Sequence, residues 1–316
     1  MKSTHTRSLV QGWLRSDLGS PHRKPVTIGN HMSTRFLFIA DTHWGSGEKG
    51  YTLQPKYDHH LHNILDALDG GVDEHGTVDF ILHGGDMVHT LDLAGLEAVS
   101  SLFNRRVPVW LCLGNHDLTR PNGLKLWMEH CSRFFRDDSP NYAIETPDCV
   151  IHVIPNQYGP EPYCWEEEQT AHFLPDQVAE LETRLSSGDD RCQIILTHSP
   201  IHAIDVGQTG REEPFHKPPA DFTKTVTNIA QRYNISAVLG AHSHANMHKE
   251  LNGTHYITVS SFVETPFEFK LFEVDSDTIR MTTHNLNDRV DFKAEYNWNQ
   301  TFAQGRARDR TFERPL

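Results

Sequence analysis

The 316-residue chain lacks the features of a membrane protein, a disulfide-rich protein or a nucleic-acid coat. No apolar run reaches the roughly 18 residues of a membrane span, and the N-terminus has no continuous apolar stretch like a secretory signal. The formal net charge of −13 disfavours binding to nucleic-acid polymers or anionic membranes. The five cysteines are scattered and include no Cys-x-x-Cys pair, which favours reduced thiols. We therefore expect a cytoplasmic protein with a small-molecule substrate, and the oligomeric state stays open.

The regular pattern of the chain begins only near residue 34. Residues 1–33 are polar, and we expect a flexible leader without a catalytic role. Residues 34–290 contain no repeat and no linker-like break, which indicates one domain, and residues 291–316 are expected to form a polar C-terminal tail. The irregular stretches 156–174 and 203–221 are rich in Gly, Pro, Glu and aromatic residues, and their length predicts loops over a site.

Short apolar runs alternate with helix-like stretches from residue 35 onward, which is typical of an α/β fold with a largely buried sheet. Five strands are predicted within 35–40, 78–86, 107–117, 192–200 and 236–244. Helices are predicted at about 56–69, 91–105, 122–135, 175–187 and 222–233. Further short strands at 141–145, 149–155, 246–251, 254–260 and 268–274, with a hairpin turn at Asn252-Gly253, predict a second sheet packed on the first.

Each of the five main strands runs into a cluster of polar residues. The clusters are Asp41-Thr42-His43, Gly84-Gly85-Asp86, Gly114-Asn115-His116-Asp117, His198 and His242-Ser243-His244. Because ligands gather at the carboxyl ends of strands in an open α/β sheet, we expect these side chains to meet at one edge. Carboxylate, imidazole and amide donors without thiolates suit Mn, Fe or Zn.

A pair of metal ions about 3.5–4 Å apart needs a bridging carboxylate, and Asp86 is the natural bridge. In an extended segment the i,i+2 spacing of Asp41-x-His43 and His242-x-His244 lets both side chains project to the same side. A His-x-His triplet alone is weak in a chain with 22 histidines. Gly-Asn-His-Asp is far more specific, because its chance expectation is only about 0.005.

In order and spacing, these clusters resemble the five signature blocks of the calcineurin-like metallophosphoesterase superfamily over residues 35–262. The resemblance implies a four-layer αββα sandwich with two mixed β-sheets flanked by helices. It also implies that one divalent ion is held by Asp41, His43, Asp86 and His244. The second would be held by Asp86, Asn115, His198 and His242.

The resemblance further implies a mechanism in which a metal-bridging hydroxide attacks the phosphate ester. His116 would protonate the leaving alkoxide or stabilise the phosphoryl oxygens, and Asn115 would also contact the phosphate. Ser/Thr protein phosphatases of the superfamily have an Asp and an Arg where this chain has His89 and Thr90. This departure disfavours a protein phosphatase and leaves Asp117 as the candidate to orient His116.

The Gly-Asn-His-Asp block together with Gly-x-His-x-His is more similar to the small-molecule phosphodiesterases of the superfamily, so we expect a small phosphodiester substrate. The alternative is a phosphomonoesterase or nucleotidase that uses the same ions. A non-catalytic binding scaffold is less favoured, because suitable residues fill every metal-ligand position. Candidate substrate-binding residues in or beside the predicted loops are Arg120, His202 and Arg211, and Lys125 and Lys217 are further candidates.

Overall fold

The computed structural model describes residues 33–316, without the side chains of residues 72–75. Apart from Ser33, the predicted leader therefore lies outside the described residues. Twelve strands follow in chain order: β1 (Thr34–Ile39), β2 (Phe80–His83), β3 (Val109–Leu111), β4 (Tyr142–Glu145), β5 (Cys149–Val153), β6 (Cys192–Leu196), β7 (Ala237–Gly240), β8 (Met247–Leu251), β9 (Thr254–Thr258), β10 (Glu268–Val274), β11 (Thr278–Asn285) and β12 (Thr311–Pro315).

The strands form two mixed sheets of six, as expected. The segment 268–274 was predicted for the second sheet but is β10 of the first, where it pairs with β1. The first has the order β12-β11-β10-β1-β2-β3, in which β1, β2 and β3 are parallel and β10, β11 and β12 pair antiparallel. The second has the order β4-β5-β6-β7-β9-β8, with a parallel centre and antiparallel edges at β4 and β8. The parallel strands of each sheet end at a common edge, which is where the polar clusters lie.

Seven α-helices accompany the sheets within residues 33–316: α1 (Leu61–His75), α2 (Leu93–Leu102), α3 (Gly123–Cys131), α4 (Pro175–Leu185), α5 (Val206–Thr209), α6 (Ala220–Arg232) and α7 (Ala307–Arg310). Short 3₁₀ helices occupy Asp58–His60, His116–Leu118, Ser132–Phe134 and Trp298–Gln304. All five predicted long helices are confirmed. The short helices α5 and α7 were not predicted.

Both faces of the second sheet are covered by apolar side chains. Ile194 and Leu196 of β6 point into the main core shared with the first sheet, whereas Ile195 between them packs in a second core with α4 and α6. This alternation follows from the two-residue period of a strand. Side chains of α1, α2 and α3 join the main core on the first sheet's side. The layers are therefore helices, sheet, sheet and helices.

The Asn252-Gly253 turn joins β8 to β9 as predicted, and both residues adopt positive φ angles, 52° and 81°. The C-terminal segment 291–316 contains β12, which pairs with β11 at the edge of the first sheet. All five cysteines are buried and unpaired. None of the helices within the described residues is long and apolar enough to cross a membrane.

Candidate metal centre

Five strands of the two sheets deliver the predicted ligands to one place. Asp41 and His43 follow β1, Asp86 follows β2, and Asn115 follows β3. From the second sheet, His198 follows β6, and His242 and His244 follow β7. Six of these residues form two groups of closely spaced donor atoms, Asp41, His43 and His244 in one and Asp86, His198 and His242 in the other, and His43 also lies in a third group with His89 and His116. Each of the first two groups contains three of the four residues that the resemblance implied for one ion, without Asp86 in the first and without Asn115 in the second.

The first group is compact. The His43 Nε2 atom lies 3.1 Å from His244 Nε2, and His244 Nε2 lies 3.9 Å from Asp41 Oδ1. Asp86 Oδ2 lies 3.6 Å from His43 Nε2, so this carboxylate also reaches the first group.

The second group shares the Asp86 carboxylate. His198 Nε2 lies 3.3 Å from Asp86 Oδ2, and His242 Nδ1 lies 3.0 Å from Asn115 Oδ1. Because Asp86 Oδ2 is close to one histidine of each group, Asp86 stands in the position of a bridging ligand.

The backbone of the ligand segments differs from the expectation. Asp41, His43, His242 and His244 have φ angles of 55°, 41°, 62° and 52°, and Asp86 has 55°. The i,i+2 pairs therefore converge through left-handed conformations and not through an extended strand, so the extended-segment explanation was wrong. A left-handed non-glycine residue costs about 1–3 kcal/mol and typically marks a functional site.

Two glycines allow this close approach. A Cβ atom on Gly85, whose φ is 109°, would lie 2.4 Å from His198 Nδ1. A Cβ atom on Gly114 would lie 2.2 Å from Asp86 Oδ1. The glycines of the Gly-Asp and Gly-Asn-His-Asp blocks therefore leave room for the bridging carboxylate and its neighbours.

Two ligand histidines are oriented through the ring nitrogen that faces away from the site. His198 Nδ1 donates to the Gly84 carbonyl oxygen at 2.8 Å, and His244 Nδ1 donates to Glu264 Oε1 at 2.6 Å. In both rings Nε2 is then the atom that can bind a metal. His198 Nε2 is fully buried and has no hydrogen-bond partner among the described residues. A buried nitrogen without a well-aligned hydrogen bond, 3.3 Å from the Asp86 carboxylate, fits a divalent ion bound between them.

Carboxylates set the protonation of these histidines. Burial lowers the pKa of His198, but Asp86 and Asp41 outweigh it and raise that pKa to about 9. Burial is likewise outweighed at His244 by Glu264 and Asp41, which raise the pKa to about 9. Burial raises the pKa of Asp41 to about 7. The negative charge of the site therefore attracts protons or metal ions.

His116 lies beside the ligands and is held on several sides. Its Nδ1 donates to the His89 carbonyl oxygen at 2.7 Å, and its backbone N–H donates to Asp86 Oδ1 at 2.8 Å. The His89 ring stacks on it at a centroid distance of 4.6 Å, and the Trp165 ring lies 4.6 Å away. Because a carbonyl oxygen only accepts, His116 Nε2 is the atom left to exchange a proton.

Asp117 was the sequence candidate for orienting His116, but its carboxylate is occupied elsewhere. Oδ1 accepts the backbone N–H groups of Met87 and Val88, and Oδ2 accepts that of Gly114. These bonds join the loops after β2 and β3. The orientation of His116 comes instead from the His89 backbone.

A cavity of about 450 Å³ opens over the two groups. Both predicted loops contribute to its walls. Its lining comprises His43, Tyr51, Asp86, Asn115, His116, Tyr158, Gln169, Ser199, Pro200, His216, Lys217, Pro218, Pro219, His242 and His244.

The three candidate substrate-binding residues do not line this cavity. Arg120 is exposed and lies just after the 3₁₀ helix His116–Leu118. His202 packs edge-on against the Tyr256 ring at 4.6 Å. The Arg211 guanidinium lies 4.4 Å from the centre of the Phe215 ring. Of the cations considered from the sequence, Lys217 is the one in the cavity wall.

Several residues at the site carried no usable sequence signal. Tyr51 and His216 line the cavity, and Glu264 holds His244, but none belongs to a motif. His89 was noted only as a departure from the phosphatase pattern. Its ring packs against both His43 and His116, which also contact each other, and its Nδ1 lies 3.4 Å from His43 Nδ1.

Comparison with known proteins agrees with this geometry. The chain matches the family model described as calcineurin-like phosphoesterase over residues 34–246. No curated protein sequence matches it.

Three solved structures illustrate the likeness in fold. A dimetal phosphatase from Danio rerio is 16% identical with a TM-score of 0.60, covering 80% of this chain and 96% of that one. GAP50, the anchor in the inner membrane complex of Plasmodium, is 14% identical with a TM-score of 0.55, covering 84% and 89%. A 5′-nucleotidase from Candida albicans is 13% identical with a TM-score of 0.53, covering 86% and 55%. At these identities the likeness concerns the fold alone.

The family match over residues 34–246 spans all five ligand-bearing strand ends, so it includes both ligand groups. The chain belongs to the calcineurin-like phosphoesterases.

Proposed function

We propose that the protein hydrolyses a small phosphodiester with the help of two divalent ions, of which Mn, Fe and Zn suit the donors. Asp41, His43, Asp86 and His244 would hold one ion, and Asp86, Asn115, His198 and His242 the other. The two groups of donor atoms and the buried His198 Nε2, which makes no well-aligned hydrogen bond and faces the Asp86 carboxylate, support this assignment. When bound, such ions supply Lewis-acid chemistry that activates water and neutralises phosphoryl charge.

The charge of the cavity wall is the observation that favours a diester. Of the described residues that line the cavity, Lys217 alone has a permanently positive side chain. A phosphomonoester carries about two negative charges at neutral pH, because its second pKa is near 6. A diester carries one. A single lysine beside the ions matches a singly charged substrate better.

The size and surroundings of the cavity support a small substrate. A volume of about 450 Å³ accommodates a molecule of modest size. Glu166, Glu167 and Glu168 are exposed on the loop that contributes Gln169 to the wall. Their negative charge would repel a polyanionic chain.

His116 and Asn115 are the residues of this chain closest to the proposed chemistry. His116 is held with Nδ1 on the His89 carbonyl, so Nε2 can give a proton to the leaving oxygen. Asn115 lines the cavity, and its amide would both hold an ion and contact the phosphate. No nucleophilic side chain of the protein is required.

The test is a direct comparison of two substrates. Manganese-loaded protein is given bis-p-nitrophenyl phosphate and p-nitrophenyl phosphate, and kcat/KM is expected to be higher for the diester. Replacement Lys217→Met is expected to raise KM for the diester about tenfold, the effect of one lost charge-assisted contact that is partly exposed. Lys224→Met, on the exposed side of α6, is the matched control and should leave KM unchanged.

Two other outcomes would change the proposal. A clear preference for the monoester would favour a phosphatase or nucleotidase, the activities named for the Danio rerio and Candida albicans neighbours. Less than about one equivalent of metal after reconstitution would favour a binding scaffold, since the Plasmodium neighbour is described as an anchor.

A further inference from the structure

Glu264 is a buried carboxylate that the proposed chemistry does not use. It is 3% exposed and lies after β9, outside every signature block. One oxygen, Oε1, lies 2.6 Å from His244 Nδ1. The other, Oε2, accepts the backbone N–H groups of Leu53 at 2.9 Å and Gln54 at 2.7 Å. Both oxygens therefore have defined partners, one at a metal ligand and one in a loop.

The two ligand groups differ at this point. His198, in the second group, is oriented by the neutral carbonyl oxygen of Gly84. His244, in the first group, is oriented by the negatively charged Glu264. A carboxylate partner makes the imidazole a stronger donor to a cation than a backbone carbonyl does, and such partners typically change metal affinity 10–100-fold.

We infer that Glu264 is a positioning residue that gives the Asp41, His43 and His244 group the higher affinity of the two metal sites, and that it couples this ion to the loop bearing Tyr51. The inference rests on the proposed pair of ions and adds an unequal affinity to it.

The coupling to the loop follows from the second carboxylate oxygen. Leu53 and Gln54 lie two and three residues after Tyr51, which lines the cavity. The Tyr51 ring centre lies 5.6 Å from that of His244. Glu264 therefore contacts both His244 and the loop that carries Tyr51. An ion on His244 and an ordered Tyr51 loop stabilise the same position of Glu264.

Glu264→Gln tests this role because its amide cannot satisfy both sides. If the amide oxygen accepts from His244, the NH₂ group faces the N–H groups of Leu53 and Gln54. If the amide turns over, its NH₂ group faces His244 Nδ1–H. The ring can then only accept at Nδ1 and carries its proton on Nε2, where it blocks the metal.

The expected result is the selective loss of affinity for one ion. Titration of the metal-free protein with Mn²⁺ should show two unequal sites in the wild type, and Glu264→Gln should weaken the tighter one about 10–100-fold. Amide hydrogen exchange at Leu53 and Gln54 should also become faster in the metal-loaded variant than in the metal-loaded wild type.

Glu268→Gln is the matched control, since Glu268 is a buried carboxylate bonded to Asn246 and Ser260. It should keep both affinities.

A double-mutant cycle identifies the affected site. Added to His198→Ala, which removes a ligand of the second group, Glu264→Gln should leave almost no tight binding. Added to His244→Ala, it should change little, because its target is already missing. The reverse pattern, or equal affinity of both sites in the wild type, would overturn the inference. A wild type that binds no metal would instead refute the proposed function.

Discussion

Buried histidines behave differently at the two ends of the second sheet. At the cavity, His198 and His244 are 0% and 4% exposed, and nearby carboxylates raise their pKa values to about 9 against the effect of burial. Beside β8 and β9, His255 is also 4% exposed, but burial lowers its pKa to about 4, as it does for His202. Equal burial therefore gives opposite pKa shifts at His244 and His255, because carboxylates outweigh burial at His244. At two other cavity histidines, His43 and His242, burial prevails and lowers the pKa.

The difference shows what raises the pKa of a buried histidine in this chain. His202 and His255 have aromatic, lysine or histidine neighbours, so their rings pack as apolar groups with one polar contact. His198 and His244 have a carboxylate on the metal side and a fixed acceptor on the other side. The histidines at the cavity and those packed beside β8 and β9 are therefore separate sets, and one set can be changed without the other.

Removal of Asp86 is the largest perturbation of the cavity end. In Asp86→Ala the second group loses its carboxylate and the first group loses its shared one. We expect the loss of at least one ion and a fall in activity of about a thousandfold or more, because Lewis-acid stabilisation is worth several kcal/mol. Elemental analysis and turnover of the same preparation measure both effects. Two retained ions with normal turnover would remove Asp86 from the bridging position.

Removal of His116 should separate the metal centre from proton transfer. His116→Ala is expected to keep both ions and to lower kcat about 10²–10⁴-fold, the usual contribution of a general acid. The kcat for activated aryl esters should fall least, because their leaving groups need little protonation. The measurement is kcat for a series of leaving groups. An equal loss across the series would contradict the general-acid role.

The ligands could be found from the sequence because each follows a strand directly and lies in a short local block. The supporting residues could not. Glu264 reaches His244 across 20 positions of the chain, and Tyr51 reaches the cavity from a loop without a motif. The left-handed ligand segments were missed as well, since an Asp-x-His triplet reads equally as extended.

The fold shows the same division between local and distant information. Buried strands such as β1 and β6 contain short apolar runs, 36–39 and 194–196, and were predicted closely. Strand β12 has only half-buried and exposed residues at a sheet edge, so its sequence resembles a polar tail. Its pairing with β11 depends on tertiary contact that no local pattern records.

His89 offers a smaller change within the cavity end. His89→Ala removes the ring that stacks on His116 and contacts His43, but keeps the backbone carbonyl that orients His116. We expect kcat to fall about 10-fold, at the lower end of the range for residues that support ligands. His60→Ala, which removes a ring stacked on Phe292, is the control and should leave kcat unchanged. Full activity of His89→Ala would show that the carbonyl alone positions His116.

The smallest change concerns a histidine outside the cavity. Burial lowers the pKa of His202 from 6.5 to about 4 in the folded protein. Between these two pH values the unfolded chain binds a proton there and the folded chain does not, so stability falls as the pH decreases from about 6.5 to about 4. His202→Gln has no such group, and its free energy of unfolding should depend less steeply on pH in this window. Denaturant titrations of the metal-free protein measure the two slopes, and KM for the diester should stay within about twofold of the wild type because His202 does not line the cavity. A KM raised severalfold with an unchanged pH slope would instead support the substrate-binding role first predicted for His202 and would weaken the distinction between the two sets of histidines.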